Sequence, residues 1–273
     1  MTQRSEPWPA GTPCWADLVT SDLGRTQEFY RQVLGWHYDE PRPEHGGYCT
    51  ALLDGAPVAG LAPAVPDLAG GPHVWQVHLA TDRIELGAQR VLDAGGTQLV
   101  EPTDLGPLGV TGAWQDPTGA VFGMWQSGEH TGFGVVDVPG AVAWCDLTTP
   151  DHRAARDFYA QVFGYSYEDM GGEGVPYTVF TVPQGNGPAG GIGGTDPSAQ
   201  DAPAVWAVCF RVDGVDAVVR RVRDAGGSVV EDPFDSSYGR LAVVAGPDRE
   251  SFAIMAPGEP AQGRTREPGA DRR

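Results

Sequence analysis

Residues 14–36 read CWADLVTSDLGRTQEFYRQVLGW, and residues 143–165 read AWCDLTTPDHRAARDFYAQVFGY. Trp15, Asp17, Leu18, Asp22, Phe29, Tyr30, Val33 and Gly35 recur as Trp144, Asp146, Leu147, Asp151, Phe158, Tyr159, Val162 and Gly164, at the constant offset 144 − 15 = 129. Further on, WQVHLATDRIELGAQRVLDAGG (75–96) matches WAVCFRVDGVDAVVRRVRDAGG (206–227), with 206 − 75 = 131. Gly109, Pro117 and Phe122 recur as Gly239, Pro247 and Phe252, with 239 − 109 = 130. Register held this long means a duplicated chain, and it fixes two domains of the same plan.

Within each copy a strand, a helix and several short strands follow one another twice. Asp22 and Asp151 stand where a helix N-cap belongs, and Gly35 and Gly164 close the periodic stretches that follow. Val215, Val218, Val219 and Val222 at i, i+3, i+4 and i+7 predict a helix that lays one apolar stripe on a sheet. Gly95-Gly96 and Gly226-Gly227 end the second helix of each copy. Segments 47–53 and 177–182 carry the aromatic and β-branched bias of strands. The expected class is α+β, with four βαβββ units, two per domain, forming curved mixed sheets around a cavity in each domain. The expected boundaries are a flexible N-terminus (1–10), domain 1 (11–128), a linker (129–141), domain 2 (142–257) and a disordered, polar tail (258–273).

Composition narrows the chemistry. All 18 cationic residues of the 273 are arginine, so Schiff-base, phosphate-loop and general-base lysines are excluded. A formal charge of −18 disfavours nucleic acid and anionic membrane as partners. No apolar run approaches the length of a membrane helix. Cys14, Cys49, Cys145 and Cys209 show no CxxC spacing and follow no signal peptide, which points to reduced thiols and a cytoplasmic setting. No GxSxG elbow occurs, and the GGIGG run at 190–194 precedes no helix, so it marks tight strand packing rather than a phosphate cradle.

Paired βαβββ units with the signature DLxxxxxFYxxxLG resemble the vicinal oxygen chelate superfamily, which contains glyoxalase, bleomycin-resistance proteins and extradiol dioxygenases. The resemblance runs over about residues 10–257. PCWADLVTSD and DPTGAVFGMWQ are similar to its duplicated, glyoxalase-like subgroup. Metal-dependent members take His, Gln or Glu ligands from the first strand of one unit, the first strand of its partner and a last strand. Carried across by register, those positions hold Trp15, Gln76 and Gly123 in domain 1, and Trp144, Ala207 and Ala253 in domain 2. Only Gln76 can coordinate, so the resemblance implies no metal and no other cofactor, with a divalent metal as the alternative.

Strand alternation puts Trp15, Asp17 and Val19, with Gln76, His78 and Ala80, on the concave face of domain 1. Trp144, Asp146 and Thr148, with Ala207, Cys209 and Arg211, share that face in domain 2. Tyr48 and Tyr177 (177 − 48 = 129) sit on further cavity strands, and Trp125 ends another. The ligand-binding candidates are therefore Trp15, Tyr48, Gln76, Trp125, Trp144, Asp146, Tyr177, Cys209 and Arg211. The two tryptophans either plug a space left by lost ligands or stack on a ligand. Asp17 and Asp146 either accept backbone hydrogen bonds or act on a ligand, and Asp17 with His78 would make a catalytic pair. Cys209 has no histidine to activate it and reads as packing. Arg211 pairs with Asp146 or binds an anion. His37, His45, His73, His130 and His152 fall on loops or helix starts and form no ligand spacing.

The reading that follows is a binder of a small aromatic or cationic metabolite, without metal, in antibiotic biosynthesis or resistance. Its alternative is a glyoxalase-like enzyme of secondary metabolism: a lyase, an isomerase or cyclase, or a dioxygenase or hydroxylase. The partner is a small molecule. Pairing of domains within one chain can replace the dimer of single-domain relatives, so a monomer or a homodimer is expected.

Overall fold

A computed structural model describes residues 3–64, 73–171, 174–195 and 202–257. Domain 1 opens with β1 (Pro13–Thr20), α1 (Leu23–Leu34), β2 (His37–Tyr38), β3 (Cys49–Leu53) and β4 (Ala56–Pro63). Its second unit is β5 (Trp75–Ala80), α2 (Ile84–Asp93), β6 (Thr97–Asp104), β7 (Gly109–Gln115) and β8 (Val121–Ser127). Domain 2 repeats the order with β9 (Val142–Thr149), α3 (His152–Phe163), β10 (Ser166–Asp169), β11 (Tyr177–Thr181) and β12 (Pro188–Gly194). It ends with β13 (Val205–Arg211), α4 (Val215–Asp224), β14 (Ser228–Ser236), β15 (Gly239–Ala245) and β16 (Ser251–Ala256). The four βαβββ units are thus present, and the class is α+β. The tail 258–273 lies outside the described residues.

Each domain builds one eight-stranded sheet, in the order β2-β3-β4-β1-β5-β8-β7-β6 and β10-β11-β12-β9-β13-β16-β15-β14. Two units meet where β1 pairs antiparallel with β5, while β1 runs parallel to β4 and β5 parallel to β8. Helix starts follow the sequence: Asp22 accepts from Arg25 N at 3.0 Å and Asp151 from Ala154 N at 2.9 Å. Gly35 and Gly164 take the left-handed conformation, with φ of 78° and 73°, that ends each helix without a Cβ penalty. Among the described residues no helix is long and apolar enough to cross a membrane. All four cysteines are free and buried.

The helix-bearing faces of the two sheets meet across the domains, α1 against α4 and α2 against α3. Trp36, Trp75 and Phe210 pack edge to face there, with Tyr30 stacked on Trp36 at 5.0 Å. A polar relay crosses this apolar layer twice. Trp75 donates to the Tyr30 hydroxyl (3.1 Å), which donates to Glu250 Oε1 of domain 2 (2.9 Å). In the mirrored relay Trp206 donates to Tyr159 (2.8 Å), which donates to Asp116 Oδ2 of domain 1 (3.1 Å). Buried carboxylates are costly unless hydrogen-bonded, and both are. Yet the acids come from different repeat positions. Asp116 corresponds to Gly246, and Glu250 to Ala120 (246 − 116 = 130; 250 − 120 = 130). A Cβ at Gly246 would overlap the Glu250 carboxylate. The two domains supply the acid from positions four residues apart along the turn, to the same place in space.

The N-terminal segment meets the connection between domains at Arg4 and Trp8. Arg4 N donates to Gly134 O at 2.7 Å, Trp8 Nε1 donates to Phe133 O at 3.2 Å, and Phe133 is buried. The glycines of β12 pack closely, as the sequence suggests: a Cβ at Gly190 would press on the Phe180 ring at 2.5 Å.

The shifted acid gives a double-mutant test. Glu250→Ala leaves the buried Tyr30 hydroxyl without an acceptor and should cost on the order of 1–3 kcal/mol in urea unfolding. Gly246→Asp alone should also destabilise, by crowding Glu250. Combined, the two should recover most of the loss, because the domain-1 arrangement is restored; strictly additive losses would refute the exchange.

Candidate functional site

The register of the central strands decides which side chains face each cavity. Trp15 lies opposite His78 and Asp17 opposite Gln76 across β1 and β5; Trp144 lies opposite Cys209 and Asp146 opposite Ala207 across β9 and β13. The concave face of domain 1 encloses about 420 Å³, that of domain 2 about 410 Å³. Both volumes fall within the range of small-molecule sites.

In domain 1, Trp15, Asp17, Tyr48 and Trp125 line the cavity, as predicted. His78 sits behind Asp17, its Nε2 3.1 Å from Asp17 Oδ2, so the two are brought together as the sequence reading required. Gln76 is outside the lining, its amide donating to Val77 O at 3.3 Å. Trp15 Nε1 donates to the Tyr48 hydroxyl at 2.8 Å. At 3 % exposure Trp15 is a plug: His130 stands edge-on against it with ring centroids 4.4 Å apart, and Phe133 lies at 5.5 Å.

In domain 2, Trp144, Asp146, Tyr177, Cys209 and Arg211 all line the cavity. Trp144 is partly exposed, so here the repeat partner of the plug remains open. Asp146 Oδ1 accepts from Trp144 Nε1 and from the Tyr177 hydroxyl, both at 2.9 Å. Burial pushes the Asp146 carboxyl above its ordinary range, against the pull of those two donors. Two expectations need correction. Arg211 pairs with Asp137 of the connection, Nε to Oδ1 at 2.9 Å, and not with Asp146, whose inner oxygen is already taken. Among the described residues neither aspartate is held by backbone amides: Asp17 is held by a histidine and Asp146 by an indole and a phenol.

Several lining residues went unread. Arg42, Glu44 and His45 reach the domain-1 cavity from the turn before β3, and His130 from the connection between domains. Loops have no side-chain period, so alternation gives no signal for them. Met255 of the domain-2 lining could have been found, because it is the repeat partner of Trp125 (255 − 125 = 130); Tyr238 and Leu241 are likewise partners of Leu108 and Thr111, which were themselves unread.

The family profile described as Glyoxalase/Bleomycin resistance protein/Dioxygenase superfamily matches residues 14–124 and again residues 141–254. The chain belongs to this superfamily. It is 36% identical over 258 residues to the anthracycline biosynthesis protein DnrV of Streptomyces peucetius, covering 90% of this chain and 93% of that one. It is 35% identical over 262 residues to a Mycobacterium tuberculosis protein provisionally named glyoxylase CFP32, covering 94% and 98%. Among solved structures, the Mn(II)-bound glyoxalase of Novosphingobium aromaticivorans shares the fold at TM-score 0.63 and 16% identity, covering 91% of this chain and 82% of that one. The catechol dioxygenase BphC does so at TM-score 0.61 and 14% identity, covering 92% and 88%.

A metal in this fold needs donors at the three strand positions carried across above, and the residues present do not fit one. In domain 1 a Cβ at Gly123 would overlap the His78 ring, so the imidazole fills the space into which a last-strand ligand would project. Trp15 offers only an N–H, already given to Tyr48. Domain 2 has indole and methyl groups at all three positions.

His130 carries a pH consequence. Burial, then the charges of Arg42 and His78, push its pKa from 6.5 down to about 4. A depressed base binds its proton more readily once unfolded, so stability present at pH 7 is lost as pH falls from about 6.5 towards 4. The loss should reach at most about 3 kcal/mol. Replacing His130 by Gln should flatten urea midpoints between pH 4.5 and 7; an unchanged pH profile would show that the ring is not held neutral.

Proposed function

We propose that the protein binds a small polycyclic aromatic metabolite in the domain-2 cavity without a metal, in the biosynthesis of an aromatic antibiotic or in resistance to one. The observation that carries this reading is Asp146, which faces the largely apolar domain-2 cleft. Its Oδ1 is occupied by Trp144 and Tyr177, while Oδ2 accepts no hydrogen bond among the described residues. That free oxygen can take one hydroxyl or ammonium of a ligand whose rings lie between Trp144, Tyr177 and Tyr238. Methionines 170 and 255 give the walls a polarizable surface that adapts to flat ring systems. Glu168 at the same cavity adds acidic character that suits a cationic substituent, the Asp137 and Arg211 charges there being paired with each other. DnrV and the Streptomyces protein DauV, both named for anthracycline biosynthesis, are relatives of the right kind for such a ligand.

Titration with an anthracycline and with an uncharged anthraquinone should quench tryptophan fluorescence at saturable concentrations. Trp144→Ala should weaken both by about tenfold or more, through lost stacking and burial. Asp146→Asn should weaken the amine-bearing ligand about tenfold and the uncharged one less, since charge-assisted hydrogen bonds are the stronger kind. Absence of quenching by any polyaromatic ligand would end this reading.

A further inference from the structure

The two cavities share one plan and differ where it matters for a proton. In domain 2 the Tyr177 hydroxyl accepts from Trp144 (3.1 Å) and donates to Asp146 (2.9 Å), so its proton is spent inside the protein. In domain 1 the equivalent phenol, Tyr48, accepts from Trp15 (2.8 Å) and, among the described hydrogen bonds, donates to nothing. The cause is position 78. His78 stands where domain 2 has Cys209, opposite the strand-1 tryptophan, and it engages Asp17 Oδ2 at 3.1 Å. Asp17 is thereby turned to the histidine instead of capping the phenol. The histidine fits because residue 123 is glycine; its counterpart Ala253 lies beside the smaller Cys209.

Tyr48 and Asp17 converge on one spot. Asp17 is paired in register with Gly60 of β4, and a Cβ at Gly60 would overlap the Tyr48 hydroxyl. Burial, and secondarily the Asp17 charge, push the Tyr48 phenol well above its ordinary range. It therefore remains protonated and keeps a hydrogen to donate. Both groups face the cavity, and Leu105, Leu108 and Trp125 line it with apolar surface. A carboxylate, and a free phenolic donor beside it, in a site of about 420 Å³ have the parts that enolisation requires.

We propose that the domain-1 cavity catalyses proton transfer at a carbon next to the carbonyl of an aromatic ketone, with Asp17 as base and Tyr48 as donor to the carbonyl oxygen. The Asp17 carboxylate takes the α-proton, and the C–H electron pair becomes the C=C bond of an enolate. The carbonyl π pair moves onto oxygen, where the Tyr48 O–H holds the developing charge. The protonated Asp17 then either trades its proton for one from solvent before reprotonating the same carbon, which gives exchange, or delivers it to the far end of a conjugated enolate, which gives isomerisation. Atoms and electrons balance with no oxidant or second substrate. His78, which is outside the lining, is a positioning residue: it keeps Asp17 from spending the phenol's hydrogen. The activity is independent of ligand binding in domain 2.

The test uses 2-tetralone, a two-ring ketone with exchangeable α-protons, and the full chain in D2O containing a chelator. Loss of the α-proton NMR signal should run faster with protein than in buffer. Asp17→Asn and Tyr48→Phe, each verified as folded by circular dichroism, should slow it by about 100-fold or more. His78→Cys, which installs the domain-2 residue, should lower the rate at saturating 2-tetralone while leaving its half-saturation within about twofold, a pattern a folding defect does not give. Exchange no faster than buffer, exchange abolished by the chelator, or wild-type rates in Asp17→Asn and Tyr48→Phe would each overturn the assignment.

Discussion

The antiparallel pairing of β1 with β5, and of β9 with β13, is the contact on which the rest of the molecule depends. It joins two βαβββ units into one sheet, and its register sorts every side chain of four central strands between two faces. A slip of β5 by one residue would send Trp75, Val77 and Leu79 into the cavity and Gln76 and His78 into the apolar layer between domains. The apolar layer makes such a slip prohibitive, because Trp75 is anchored there by Tyr30 and by the rings of Trp36 and Phe210. Burial on the convex side thus fixes geometry on the concave side.

That same layer shows what duplication preserves. Each domain sends a tyrosine across to a buried acid of the other, and each acid is completed by hydrogen bonds from its own turn. Asp116 accepts from Thr118 N at 2.7 Å, and Glu250 from Asp248 N at 2.9 Å. What is retained is a carboxylate at one point in space, whichever residue supplies it. Desolvation makes an unpaired acid or hydroxyl here expensive, so position was held while sequence moved.

The fold was legible because the repeat states it twice and because caps such as Asp22 and Asp151 mark where helices begin. Strand alternation gathered Trp15, Asp17, Tyr48, Trp125 and the five domain-2 candidates around their cavities, while Gln76 and His78 lie outside the domain-1 lining. What stayed hidden lies on loops, where no period exists: Arg42, His45 and His130 reach the domain-1 cavity through turns. Arg211 illustrates a second limit. Its face was read correctly, but its partner Asp137 lies 74 residues away on a connecting segment, and no local pattern links the two. The differing fates of Trp15 and Trp144, one sealed and one open, are likewise a matter of what the connection between domains covers.

Gly123 has a consequence for how the two cavities can diverge. A side chain there and an imidazole at position 78 compete for one volume, so neither residue can be judged on its own background. A histidine arriving at 78 while 123 still carried a methyl group would meet a steric barrier; a glycine arriving first would open a small void and little else. The two positions are therefore coupled, and glycine at 123 is what makes room for an imidazole at 78. Epistasis of this kind leaves a trace readable in one molecule, since the other half of the chain keeps Cys209 and Ala253 side by side as the alternative solution.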